Sequence, residues 1–185
     1  TFDWEHASDS DPFNIVTYFI HVESDTLSWD YEVTPNLSEE TIITPEESFP
    51  DNRIYHWSVT ADDMNGGVTE NIGGPSMFVI NVENDPPSSF EILSPNQNSI
   101  QTDLSPNFSW TTAVDPDPLD SVEYQLYISF PLWPGEFSFY TSETHYTPDF
   151  SFVDNTTFFC MVNAHDMNGE TVFSGEVVFH TDSIP

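Results

Sequence analysis

The sequence is almost devoid of positive charge. Arg53 is its single basic side chain, set against 32 Asp and Glu, for a formal net charge of −31. With one cation inside the molecule, at most one or two carboxylates can be paired by protein, and neutralisation of the rest must come from solution. A surface of this sign repels phosphate, which excludes nucleic acid and an anionic membrane surface as partners. Cysteine is nearly as scarce. Cys160 stands alone, so internal disulfides, zinc ribbons and thiol redox pairs are excluded. No apolar run approaches the roughly 18 residues that span a bilayer. The sequence opens at Thr1 without a charged-then-apolar leader, so a soluble chain with no membrane insertion is expected.

Aromatic side chains, by contrast, are abundant. The 16 Phe, 7 Tyr and 5 Trp are too many for an acidic chain that stays disordered, so a folded protein is expected. A length of 185 residues accommodates one large or two modest domains.

An internal repeat decides between these. Phe2-Asp3-Trp4-Glu5-His6-Ala7-Ser8-Asp9-Ser10-Asp11-Pro12 returns as Phe108-Ser109-Trp110-Thr111-Thr112-Ala113-Val114-Asp115-Pro116-Asp117-Pro118, at a constant spacing of 106 residues. The match runs on without a gap through Val16, Tyr18, Ile20 and Val22, which meet Val122, Tyr124, Leu126 and Ile128. This alternation predicts a strand with one buried face. Further on the spacing becomes 103, with Tyr55, Trp57, Val59 and Ala61 meeting Phe158, Cys160, Val162 and Ala164. Both runs end in Asp-Met-Asn-Gly, at Asp63 to Gly66 and Asp166 to Gly169. Each copy consists of short strands punctuated by Pro, Gly, Asn and Asp, with no sustained apolar period of 3.6. The joining segments are too short and polar for crossover helices, so each copy is read as an antiparallel sandwich or barrel.

An early-strand Trp, a Tyr in the next strand, then Tyr55-x-Trp57-x-Val59-x-Ala61 and a turn ending at Gly66 resemble a fibronectin type III domain of the kind strung in tandem through secreted microbial surface proteins. Phe49 sits where that family packs a Leu ahead of its strand-F Tyr. In the second copy Phe158 replaces the Tyr and Cys160 the aromatic two residues on, so the hydroxyl of a tyrosine corner is missing there. The resemblance implies an all-β protein of two tandem immunoglobulin-like, fibronectin type III-like antiparallel β-sandwiches. The expected domains are residues 1–82, a short acidic Pro-containing linker at 83–87, and residues 88–185. Phe90-Glu91-Ile92-Leu93 supplies the second domain with a first strand that the first copy lacks, because Thr1 aligns with Asn107, well inside the repeat. Two explanations stand: a segment of a longer tandem array, or a missing strand supplied by a neighbouring subunit.

In such a sandwich the loop after the Trp strand and the loop after the long Tyr strand lie at one end. Asp9 and Asp11 are therefore expected beside Asp63 and Asn65, and Asp115 and Asp117 beside Asp166 and Asn168. Carboxylates converging without Lys or Arg repel one another, and calcium suits irregular clusters of carboxylate, Asn and backbone oxygens better than magnesium, which retains its water. Glu83-Asn84-Asp85-Pro86 resembles the acidic linkers of cadherin repeats, so Glu83 and Asp85 are expected to complete the second site. The competing reading is that Asp-Pro-Asp-Pro and Asp-x-Asn-Gly are good turn sequences whose Asp and Asn bond their own backbone.

Catalytic constellations are not found. The same acids recur at matching loops in both copies, which suits a structural element rather than a glycosidase pair. The six His lack metal-ligand spacing, with His56 read as an outward residue, and no Gly-x-Ser-x-Gly elbow is present. Cys160 takes a core-facing position and is read as inert. The densest aromatic stretch, Phe130 to Tyr140, contains Trp133, Phe137 and Tyr140, which either stack on a sugar or partner or cover the sandwich edge. Trp29 and Tyr31 hold the comparable region of copy one. Sequons at Asn36, Asn107 and Asn155 are no more than chance supplies.

The expectation is a non-enzymatic, extracellular or cell-surface module: a calcium-stiffened tandem spacer or adhesive stalk whose partners are neighbouring repeats or subunits, a glycan or a surface protein. The alternatives are a filament subunit joined by β-strand complementation and a carbohydrate-binding accessory of a secreted enzyme. The acidity also suits a high-salt habitat, where solvated carboxylates keep proteins soluble.

Overall fold

The computed structural model describes residues 1–11, 14–34, 41–131 and 136–184. Trp133 of the aromatic stretch and the sequon at Asn36 lie outside these residues. The chain divides into two compact units, Thr1–Val82 and Glu83–Pro185. Among the described residues there is no helix, and so none long and apolar enough to cross a membrane.

The first unit contains β1 (Phe2–Asp3), β2 (Thr17–Glu23), β3 (Ser28–Val33), β4 (Ile42–Ile43), β5 (Arg53–Asp62), β6 (Val68–Glu70) and β7 (Ser76–Ile80). A five-stranded sheet runs β3-β2-β5-β6, with β7 also on β5, and faces the two-stranded pair β1-β4. In β2 the alternation sends Tyr18, Ile20 and Val22 inward, each at most 1% exposed, while Phe19 and His21 point out. Aromatic rings join the layers. Phe2 from the small sheet meets Trp57 at 5.0 Å and Phe78 at 5.7 Å from the large one.

The second unit contains β8 (Ile92–Ser94), β9 (Ser99–Gln101), β10 (Phe108–Trp110), β11 (Glu123–Ser129), β12 (Glu136–Thr141), β13 (His145–Tyr146), β14 (Thr156–His165), β15 (Thr171–Phe173) and β16 (Val177–Thr181). Its small sheet is β13-β10-β8 and its large one β12-β11-β14-β16-β9, with β15 also on β14. The two sheets meet through Phe108, 5.7 Å from Phe179, and through Phe152, 4.8 Å from Phe158. Burying each of these rings contributes roughly 2–3 kcal/mol. Both units are thus all-β sandwiches of immunoglobulin-like layering. One pair departs from the antiparallel expectation: β9 runs parallel to β16, because residues 94–101 cross from the small sheet to the edge of the large one.

Tyr55 is fully buried and its hydroxyl donates to the Pro50 carbonyl at 2.8 Å, the tyrosine corner that the resemblance implies. Phe158 fills the same place with no hydroxyl to offer. Asp51 and Asp154, equivalent in the two copies, clamp the exit of each unit: Asp51 Oδ1 accepts from the N–H of Val82 and Asp154 Oδ1 from that of Ser183. Hydrogen bonds from Ser183 hold the Asp154 carboxyl below its ordinary value. Arg53 pairs with Asp25 at the surface of the first unit.

Candidate metal centre

Tyrosine positions the first loop. The Tyr124 hydroxyl accepts the N–H of Ala113 at 2.8 Å and thereby fixes the chain two residues before Asp115, as Tyr18 does for Ala7 at 2.9 Å in the first unit. The loop then folds on its own side chains. Asp115 Oδ1 accepts from the N–H of Asp117, and the Asp117 carbonyl accepts from the N–H of Asp120 at 3.2 Å. This is the Asx-turn chemistry that the Asp-Pro-Asp-Pro sequence predicts.

The second loop turns around Asp166, whose Oδ1 accepts the N–H groups of Asn168, Gly169 and Glu170 at 2.8, 2.5 and 2.9 Å. So tight a wrap needs a left-handed residue, and Gly169 takes φ 105°, as Gly66 takes 110° in the first copy. The segment leading into the unit closes over both loops. Asn84 Nδ2 donates to Asp166 Oδ2 at 2.7 Å, and the Asp85 N–H donates to Asp117 Oδ2 at 3.0 Å.

These contacts bring Asp115, Asp120 and Asp166 together, with one carboxylate oxygen from each lying within 4.8 Å of the others. Asp166 and Asp117 are buried, at 8% and 3% exposure. At an effective dielectric of about 20, two charges at such a distance repel by about 3 kcal/mol. The second unit has no Lys or Arg to offset this. Asp115 Oδ2 is buried and has no hydrogen-bond partner among the described residues. Burial pushes the Asp115 carboxyl up, and the charges of Asp120, Asp117 and Asp166 add to that, against one opposing hydrogen bond from Asp117. Burial acts upward on Asp166 too, but its hydrogen bonds from Asn84 and from the N–H groups of Gly169, Glu170 and Asn168 prevail and hold it below the ordinary value. Asp166 is therefore a carboxylate stabilised by four donors, and Asp115 one that has a single donor, on Oδ1.

Asp120 has no part in the sequence-based set, although the repeat contained the signal. It aligns with Asn14, which identifies it as a loop residue at the same corner. Asn168 turns its amide toward Asp120 Oδ2 at 3.0 Å. Glu83 lies exposed, and neither it nor Asp85 belongs to the three-carboxylate group.

The first copy solves the same corner differently. Asp9 Oδ1 accepts the Asp11 N–H, Asp9 Oδ2 accepts Asn14 Nδ2 at 3.2 Å, and Asn14 Oδ1 accepts Asn65 Nδ2 at 3.2 Å. Hydrogen bonds from the N–H groups of Asn65 and Gly67 hold the Asp63 carboxyl below its ordinary value. Asp9, Asp11 and Asn65 are exposed, and among the described residues no three carboxylates gather here.

The aromatic candidates are elsewhere, on β12. The Phe137 ring lies 5.0 Å from that of Phe150 and covers the sandwich edge, whereas Tyr140 is 59% exposed. Trp29 packs at 4.9 Å on Phe49 in the first unit. Cys160 is buried, and desolvation pushes its thiol up to about 12, so it is inert as a nucleophile. His56 is exposed.

No protein-family model matches the chain, and no curated protein matches it. Among solved structures the chicken CNTN1 FN1-FN3 domains are similar to it at 15% identity, with a TM-score of 0.40 over 97% of this chain. The chain spans 61% of the length of that structure.

Proposed function

We propose that the protein is a non-enzymatic, extracellular structural module, a tandem spacer whose second sandwich binds calcium through Asp115, Asp120 and Asp166. The supporting observation is the set of three carboxylate oxygens within 4.8 Å of one another, in a unit that has no basic Lys or Arg. A hard divalent cation converts their mutual repulsion into attraction, and takes up the lone pairs that Asp115 Oδ2 leaves unused. Calcium suits the site better than magnesium, since irregular loops supply oxygens at flexible distances while magnesium demands an octahedron and keeps its water. Asp117, Asn168 and backbone carbonyls of the same loops are the further ligands available to it. Because Asn84 and Asp85 are bonded to those loops, an ion there also immobilises the segment that joins the two repeats. The ion thus stiffens the spacer.

Calorimetric titration of the full chain tests this. The expected result is one calcium per chain with Kd between about 0.1 and 1 mM, the range of extracellular modules, and loss of that binding in Asp120→Asn. Equal binding of magnesium, or unchanged binding in the variant, would remove the assignment.

A further inference from the structure

The outward face of the first unit's large sheet presents a different kind of donor set. On β2, His21 and Glu23 are two residues apart and so point to the same side, away from the core that Tyr18, Ile20 and Val22 fill. Asp30 of β3 lies directly across from His21, and His56 of β5 directly across from Glu23. Residues opposite one another share a face with Cβ atoms about 5 Å apart, and diagonal neighbours such as His21 and His56 stand about 7 Å apart. No His-x-His spacing announces this set, because its members come from three strands.

The His21 ring is already oriented. Its Nδ1 lies 2.7 Å from Asp30 Oδ1, and since a carboxylate only accepts, Nδ1 carries the hydrogen. In the neutral imidazole this leaves the lone pair on Nε2, which faces Glu23 Oε2 across 3.6 Å. An acceptor then faces an acceptor. Two ligands bound at about 2.1 Å in a tetrahedral zinc site stand about 3.4 Å apart, so Nε2 and Oε2 have nearly the separation of two ligands on one ion. The Asp30 contact is the carboxylate pairing that fixes a ligating ring and raises its basicity. His56 closes the set by rotation of its side chain. It is exposed and makes no hydrogen bond or ion pair among the described residues. As it stands it does not meet the other two, since among the described residues only Asp115, Asp120 and Asp166 bring three such atoms within 4.8 Å of one another.

We infer that His21, Glu23 and His56 form a zinc site on the first unit, with Asp30 as positioning residue and water as the fourth ligand. Imidazole nitrogen selects a borderline cation such as zinc over calcium and magnesium, which take oxygen. The site therefore takes a different class of ion from a cluster of carboxylates alone. A net charge of −31 concentrates any divalent cation near the chain, and the two imidazoles supply the selectivity. The second unit lacks the set. Tyr127, Ser129 and Phe159 stand where His21, Glu23 and His56 do, with Ser129 across from Phe159. This inference does not depend on the calcium reading.

The test titrates zinc chloride into the isotope-labelled full chain at about pH 8, above the ordinary histidine range, with calcium in excess to occupy clusters of carboxylates alone. The imidazole nitrogens are followed by NMR. The expected result is saturable shifts at His21 Nε2 and at one ring nitrogen of His56, with His21 Nδ1 keeping the signal of a protonated nitrogen. His56→Gln and Glu23→Gln are each expected to weaken zinc at His21 about tenfold or more, and Asp30→Asn about tenfold with the His21 hydrogen redistributed between its two nitrogens. Absence of shifts at His21 and His56 in excess zinc overturns the inference. So do equal shifts in magnesium, which report screening alone, or unchanged zinc binding at His21 in any of the three variants.

Discussion

Asn14 and Asp120 occupy equivalent corners of the two repeats, and each accepts the side-chain amide of the equivalent asparagine, Asn65 or Asn168, but only Asn14 also donates. Asn14 donates its amide to the Asp9 carboxylate and accepts one from Asn65, so the chain of hydrogen bonds carries a single charge. Asp120 can only accept, and it faces Asp115 and Asp166 within 4.8 Å. One atom exchanged between two side chains of the same shape separates a corner where an amide bridges Asp9 and Asn65 from one where three carboxylates gather.

Replacing Asp120 by Asn transfers the first copy's solution to the second. In chelator the Asp120→Asn variant is expected to be more stable than the parent by about 1–3 kcal/mol, because a like charge near Asp115 and Asp166 is removed. In saturating calcium the order is expected to reverse. Urea unfolding of both proteins in each condition measures the crossing, and parallel shifts with no crossing would count against the ion.

Asp166 has a second duty as acceptor for three backbone N–H groups. Asp166→Ala is therefore expected to cost about 2 kcal/mol or more with or without calcium, since those donors lose their partner. Asp115→Ala removes the unpartnered Oδ2 and a single acceptor, Oδ1 for the Asp117 N–H, so it is expected to cost about 1 kcal/mol in chelator and clearly more when calcium is present. Chemical denaturation of the two variants distinguishes a scaffold carboxylate from one whose purpose is the ion.

Much of this was legible in the sequence because the repeat exists twice. Spacings of 106 and 103 residues locate Tyr18 against Tyr124 and Asp63 against Asp166, and an alternating strand leaves no freedom about which side faces in. The acidic loops were legible for the same reason. Asp120 was not, because attention to residues shared by both copies passes over the position where they differ. Nor was the parallel β9-β16 pair: residues 94–101 contain no alternation long enough to assign an edge, and their pairing is decided by the length of chain available to cross between sheets. The reach of Asn84 to Asp166 likewise depends on tertiary placement that local pattern does not encode.

The Tyr55 hydroxyl bond to Pro50 has no counterpart at Phe158. Tyr55→Phe is expected to destabilise the first unit by about 1 kcal/mol, the net worth of the hydroxyl's bond to the Pro50 carbonyl, while the second unit's transition stays in place. Calorimetry that follows both transitions checks this, and a shift confined to the second unit would contradict it.

His21 lies between Asp30, at 2.7 Å from Nδ1, and Glu23, at 3.6 Å from Nε2. The hydrogen bond to Asp30 raises its pKa above 6.5, against partial burial, with the charges of Asp30 and Glu23 adding. A raised folded-state value means that the contribution is complete below the unfolded pKa and is lost as pH rises through the folded one. The side chain is 44% exposed, so solvent screening limits the effect to about 0.5 kcal/mol. His21→Gln is expected to narrow the stability difference between about pH 5.5 and pH 8.5, values that bracket the histidine range, as read by urea midpoints.

The most direct test of the calcium account is a thermal melt of the full chain in calcium, in magnesium, and in chelator with sodium chloride at matched ionic strength. A ligand that binds the native state at a hundred times its Kd adds about 2.7 kcal/mol, which for a domain of this size raises Tm by about 10 °C. The account predicts a rise of that order in calcium alone, confined to the second unit's transition and absent from Asp120→Asn. If sodium chloride raises the same transition equally, the carboxylates of Asp115, Asp120 and Asp166 are screened rather than coordinated, and the calcium-stiffened spacer is wrong.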